Sequence, residues 1–210
     1  MKKNENGFNG FSDIDVRILL KPSETTAPLP LIIGSYPDQY EEHTTTSTGV
    51  DIFIRPILPE DAPLLLEFFE SLSPRSVYLR FFNFMKRLPH SMLTEFTQID
   101  HDRHIALVAL PAPEEKNEKM LGVARVITGP NPREAEFSVV VGDVWQGKGI
   151  GAVLLIRCLA IAKERGIQRV IGTVLAENTQ MIALGRKLGF NIKKEQSFPE
   201  YELSIDFEKN

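Results

Sequence analysis

The chain is poor in cysteine, in basic excess and in long apolar runs, and each shortage removes a class of protein. Its single cysteine, Cys158, leaves no disulfide framework to staple a small secreted fold, and neither that thiol nor the four histidines stand at metal-ligand spacing, so no metal is expected. Acidic residues number 28 against 24 Lys and Arg, for a net charge of −4. Nucleic acid is therefore not expected as a partner, because binding to a phosphate backbone normally shows a basic balance or stripe. No apolar run approaches the roughly 20 residues a bilayer span requires, and no membrane partner is expected. The opening MKKNENGFNGFSD has two lysines but no apolar stretch behind them, so it does not read as a secretory signal, and a cytoplasmic location is the expectation. What is present is a globular mixture, 42% hydrophobic and 25% charged over 210 residues, enough for one buried domain with an appendage.

The two parts differ in texture. Residues 1–50 are rich in Ser, Thr, Pro, Asn and Gly, and EEHTTTSTG reads as a polar connector with low burial potential. Within this arm Ile14, Val16, Ile18 and Leu20 alternate in the manner of one short strand. From Asp51 to the end, residues 51–210, the periodicity is regular: Ile52 and Ile54 in a strand, then Leu64, Leu65, Phe68, Phe69 and Leu72 at helical spacing. Ser73 and Pro74 read as the N-cap and first position of a second helix, and Met92 to Ile99 as a third. His104–Leu110, Leu121–Thr128 and Ala135–Val141 read as consecutive antiparallel strands. A helix over Ile150–Arg165, a strand over Arg169–Leu175, a helix over Thr179–Leu188 and a strand over Tyr201–Phe207 complete an α/β domain.

The stretch VVVGDVWQGKGIGA, Val139 to Ala152, carries most of the chemistry. Gly147, Gly149 and Gly151 at alternate positions allow positive φ and close backbone approach, so successive N–H groups can face phosphate oxygens. The helix that follows adds the positive end of its dipole. No GxxxxGK[ST] string occurs, which argues against ATP or GTP hydrolysis. A GxGxxG/A fingerprint can be laid on Gly147, Gly149 and Ala152, but four residues separate the strand from the first glycine, and the loop lies past the middle of the chain. A glycine-rich turn that merely caps a helix is the plainer alternative.

Read as Gln-x-x-Gly-x-Gly, Gln146 to Gly151 resembles the pyrophosphate loop of the GNAT family of acyl-CoA-dependent N-acetyltransferases. DIFIRPILPED from Asp51, GVARV from Gly122, EFSVVV from Glu136 and NTQMIALGRKLGF from Asn178 resemble that family's successive segments, in its order. More narrowly, SLSPRSVYLRFF, QIDHDRHIALVAL, AEFSVVV and the Met of NTQM resemble bacterial protein lysine acetyltransferases whose GNAT domain follows an acyl-CoA synthetase-like region. DIDVRILL and SYPDQYEE look like the tail of that preceding region. The resemblance implies a GNAT fold, with a mixed, mostly antiparallel sheet flanked by helices and a short N-terminal arm. It also implies acetyl-CoA as co-substrate and transfer of an acetyl group to a primary amine. A protein lysine, for example on an acyl-CoA synthetase, is the first acceptor implied; a small amine, or an acyl-CoA sensor without catalysis, are the alternatives.

Residue roles follow from this match. Backbone N–H groups of Gly147, Gly149 and Gly151, with Gln146, Ala152 and a surface contact from Lys148, are expected to hold the pyrophosphate. The backbone of Val139 and Val141 is expected to pair with pantetheine as an added strand does. Strand alternation puts Glu136 on one face with Ser138 and Val140. The resemblance gives Glu136 the role of general base for an amine whose ammonium has a reference pKa of about 10.4; an exposed strand-end acid beside Glu134 and Arg133 is the alternative. Asn178 is expected to cap its helix and to contact the cofactor or a water. The position at which many family members carry a Tyr that protonates the leaving thiolate is Gly185, so no general acid is named. Cys158 reads as a core residue, and Trp145 as packed under the loop.

Overall fold

Period-two patterning builds the middle of a single sheet. In a computed structural model of the protein, which describes residues 36–112, 119–195 and 199–207, β1 (Glu42–Thr45), β2 (Asp51–Pro56), β3 (His104–Pro111), β4 (Gly122–Thr128) and β5 (Glu134–Val141) form a continuous antiparallel run. Beyond it β6 (Arg169–Leu175) lies parallel to β5, and β8 (Glu200–Asp206) and β7 (Asn191–Lys194) complete the order β1-β2-β3-β4-β5-β6-β8-β7. The strand expected over Ile14 to Leu20 lies outside the described residues.

Helices cover both faces, so the central strands are apolar on both sides. On one face α1 (Ala62–Ser71), α2 (Pro74–Phe81) and α3 (His90–Thr97) bury Leu65, Phe68, Phe69, Val77, Phe81 and Phe96 against Ala106, Val108 and Val123. On the other, α4 (Ile150–Glu164) presents Ile150, Leu154, Leu155, Cys158 and Ile161 to Leu107, Ala124, Val126 and Phe137. These α4 positions recur every three to four residues, one stripe of the helix. Each fully buried side chain of this size contributes about 1.5–3 kcal/mol over exposure. α5 (Thr179–Lys187) adds Ile182 to the same core.

Ser73 accepts a hydrogen bond from the Ser76 N–H (3.2 Å), with Pro74 opening α2, as the sequence predicts. The helix ends on Phe82, whose φ of +56° is uncommon for a side-chain-bearing residue. Asp61 meets Arg55 through two bonds of 2.6 and 2.7 Å and accepts the Leu58 N–H at 2.8 Å, fixing the corner from β2 into α1.

One expectation for the arm of residues 1–50 is corrected. Glu42–Thr45, read as connector, is β1, registered with Glu42 opposite Ile54 and Thr45 opposite Asp51. An edge strand needs only one partner and can keep a polar outer face, so its sequence carries no apolar period. β7 (NIKK), at the opposite edge, escaped the periodicity for the same reason.

Candidate active site

The site forms where two neighbouring strands part. β5 and β6 pair at Glu134 with Arg169, Ala135 with Val170 and Glu136 with Ile171, while β5 continues to Val141 against β4 alone. From Phe137 onward the β6-facing backbone edge of β5 is therefore unpaired within the sheet. The cleft beside it, about 580 Å³, is lined by Val139, Val140 and Val141, by Gln146, Gly147, Gly149, Gly151 and Ala152 of the loop, and by Asn178, Met181 and Leu184 around α5.

The loop takes the shape that its glycines permit. Gly147 and Gly149 have φ of +74° and +84°, and Gly149 is the N-cap of α4. Gly151 answers a different need: a Cβ there would stand 3.2 Å from a methyl of Val141, so its absence lets the first turn of α4 lie on β5. The Gln146 side chain donates to the Val141 carbonyl (3.1 Å) and to Ser76 Oγ (3.0 Å), bracing the loop against strand and helix. Asp143 extends the brace by accepting from the Ser73 N–H (2.9 Å), Ser73 Oγ (2.6 Å) and Ser76 Oγ (2.8 Å). Burial works against the charge of Asp143, but the hydrogen bonds from Ser73 and Ser76 outweigh it and hold the carboxyl below the usual range. From the other side, Thr48 in the β1–β2 turn donates to the Lys148 carbonyl at 2.8 Å. Trp145, expected under the loop, packs partly buried against the core and also lines the cleft, with the Lys148 ammonium 4.4 Å from its ring centroid; Lys148 does not line the cleft.

A smaller cavity of about 60 Å³ adjoins the cleft, sharing Leu79, Arg80, Val139, Asn178 and Met181 with it and adding Glu136, Ser138 and Phe82. Glu136 and Ser138 share the face of Val140, which packs among α1–α3, while Phe137, Val139 and Val141 face the α4 side. Burial raises the Glu136 carboxyl above its ordinary value, and Arg80 pulls the other way. Arg80 donates to Ser138 Oγ at 2.9 Å, and burial lowers its own guanidinium to about 10. Glu136, the unpaired edge of β5 and the glycine loop thus line two adjoining cavities.

Asn178 accepts the Met181 N–H (3.1 Å) as the cap of α5, and lines both cavities. Gly185 faces away from the cleft, since a Cβ there would come within 2.5 Å of Leu203 Cδ2 on β8. Cys158 is fully buried and pushed up to about 12 by that burial, which suits a core residue and not a nucleophile. Arg80, Phe82, Ser47 and Thr48 have no role in the sequence reading, and Ser138 enters it only as a neighbour of Glu136. The one available signal was the alternation that sets Ser138 beside Glu136.

The profile of the Acetyltransferase (GNAT) family matches residues 68–190, and the chain belongs to this family of acetyl-CoA-using enzymes. Its fold is the GNAT fold: the GNAT domain of S. lividans PAT superposes with a TM-score of 0.75 at 29% identity, over 82% of this chain and 99% of that one. An acetyltransferase of Pseudomonas aeruginosa is 29% identical over 142 residues, 68% of this chain and 76% of that protein. Acetyltransferase Pat of Mycolicibacterium smegmatis is 31% identical over 143 residues, again 68% of this chain but only 42% of the longer relative. The resemblance to the Pat group read from the sequence thus has named relatives behind it. Among the described residues no helix is long and apolar enough to cross a membrane.

Proposed function

We propose that the protein is a cytoplasmic enzyme that moves the acetyl group of acetyl-CoA onto a primary amine, a lysine ε-amine of a protein, with acyl-CoA synthetases as the favoured acceptors. The observation that carries the reading is Glu136, half-buried at the point where β5 leaves β6, in a cavity contiguous with the cleft that the glycine loop closes. Backbone N–H groups of Gly147, Gly149 and Gly151 hold the pyrophosphate, and the free edge at Val139 and Val141 pairs with the pantetheine amides. Gln146 acts by holding the loop on β5, and Asn178 by holding the start of α5 beside the thioester. Lys148 contributes only at the rim, and Ala152 is the small residue that lets the helix start approach the ligand.

The acceptor must arrive as a neutral amine. Glu136, its carboxyl raised by burial, takes the proton from the amine directly or through a water as nitrogen attacks the thioester carbonyl carbon. The new C–N bond forms, the C–S bond breaks, and the electron pair leaves on sulfur. A CoA thiol with a pKa near that of cysteine, about 8.5, departs without a dedicated acid, consistent with Gly185 being turned to the core. The likeness to the Pat group supports a protein acceptor.

The test is thiol release from acetyl-CoA by wild type and Glu136→Gln, with an acyl-CoA synthetase and a panel of small amines as parallel acceptors. Turnover with the protein only, lost in Glu136→Gln while CoA binding persists, is expected. Turnover with small amines only would move the acceptor class, and equal turnover by the variant would remove Glu136 from the mechanism.

A further inference from the structure

Behind Arg80 lies a second guanidinium that the reaction does not use. Arg125 on β4 stands opposite Ser138 across the β4–β5 ladder, on the face covered by α1–α3, with only 5% of its surface exposed. Its guanidinium carbon is 4.8 Å from the centroid of the Phe96 ring, and its Nη2 has no hydrogen-bond partner among the described residues. The charged group that acts on it most strongly is Arg80, of like sign, and no carboxylate among the described residues offsets it. Glu136 faces Arg80. Glu136 and Arg80 both border the adjoining open cavity, which leaves the Arg125 charge among Leu65, Phe68, Phe81 and Phe96.

Such an arrangement is costly. Burying an ion without a counter-charge carries a desolvation penalty, and an unsatisfied buried donor adds to it. A ring face recovers only part of that. Arg80 and Arg125 both line a small cavity of about 20 Å³, otherwise apolar, between the helices and β4. That volume holds one water-sized occupant. A cavity of that size favours a small occupant over a tetrahedral oxyanion or a carboxylate-bearing molecule. Water would satisfy the orphan N–H but not the charge, whereas a monoatomic anion does both.

We propose that this cavity is a binding site for a single halide ion, chloride under ordinary conditions, held between the guanidinium groups of Arg80 and Arg125. The cavity lies on the α1–α3 side of Arg80, which also borders the cleft, and the proposal does not depend on which amine is acetylated or on Glu136 being the base.

Two measurements test it, neither using turnover. Crystals of the wild-type protein grown in sodium bromide should show an anomalous peak between Arg80 and Arg125. In solution, thermal unfolding in sodium chloride is compared with sodium gluconate at equal ionic strength. Above half-saturation, Tm should rise by roughly 3–5 °C per tenfold increase in chloride for a chain of this size. Arg125→Met removes the charge and should fold and lose the chloride response; Arg125→Lys, which keeps a charge there, is the fallback if it does not fold, and should show a weakened response. The proposal is overturned by a cavity without bromide, by a wild-type Tm indifferent to the choice of anion, or by an undiminished chloride response in the variants.

Discussion

Replacing Gly149 with Ala should damage the protein in a way that Gly147→Ala does not, although both glycines have positive φ. At Gly147 an added Cβ meets nothing within 4 Å, so the cost is the left-handed backbone alone, about 1–2 kcal/mol. At Gly149 the same strain applies, and the Cβ also lands 3.2 Å from Ser47 Oγ and 3.3 Å from Thr46 Cβ, in the turn between β1 and β2. Pushing that turn aside adds about 1 kcal/mol, for about 2–3 kcal/mol in all. For a chain of this size that corresponds to a Tm lower by roughly 5–10 °C. Whatever strain the loop relieves by moving should reappear as weaker CoA binding, at about tenfold per 1.4 kcal/mol. Thermal unfolding gives the first quantity and titration calorimetry with CoA the second. Ser47→Ala in the Gly149→Ala background removes the nearest contact and should recover about 0.5 kcal/mol or more, a coupling absent with Gly147→Ala. If the two single variants are indistinguishable in both stability and affinity, the close approach of the turn to the loop is not what fixes Gly149, and the reasoning fails.

Two further outcomes concern pH. Arg80 favours the ionised form of Glu136, so Arg80→Met should raise the Glu136 carboxyl and move the acidic limb of the kcat/KM profile to higher pH, while Arg80→Lys should leave it near wild type; a limb unmoved by Arg80→Met would remove this role. Asp143 titrates below its ordinary value in the folded state, so its contribution to stability is complete above the unfolded pKa of about 3.9 and disappears as pH falls through the lower folded value. Asp143→Asn should therefore flatten the loss of stability on acidification in that range, as read from urea unfolding at a series of pH values; an unchanged slope would contradict the depressed carboxyl.

Much of the frame is legible in the sequence. Ser73-Pro74 marks the start of α2, the glycine loop marks the start of α4, and alternation places Glu136, Ser138 and Val140 on a common face of β5. These signals are local. The misses at β1 and β7 arise because short edge strands, all polar in β1 and with one apolar residue, Ile192, in β7, lack the periodicity that reveals strands. Arg80 and Arg125 were missed for another reason: arginine is normally a surface residue, and only tertiary packing withdraws it. Lys148 belongs to the loop motif, yet its ammonium rests on Trp145, a choice between phosphate and aromatic ring that spacing does not encode. The spread of β5 from β6 is likewise invisible in sequence, since both strands continue past the point where pairing stops.

The hydrogen bond from Thr48 to the Lys148 carbonyl joins residues 100 positions apart. Helical turns form in about a microsecond or less, but a closure of this span must bear the entropy of the whole intervening chain before any contact rewards it. The completed form of the glycine loop, proposed above to hold the pyrophosphate, is thus expected late in folding. Its glycines and the first turn of α4 can be in place while the β1–β2 turn that steadies them is still free. A nascent or refolding chain is expected to regain its helical content first and any affinity for CoA last, which would make ligand capture a marker of the completed sheet.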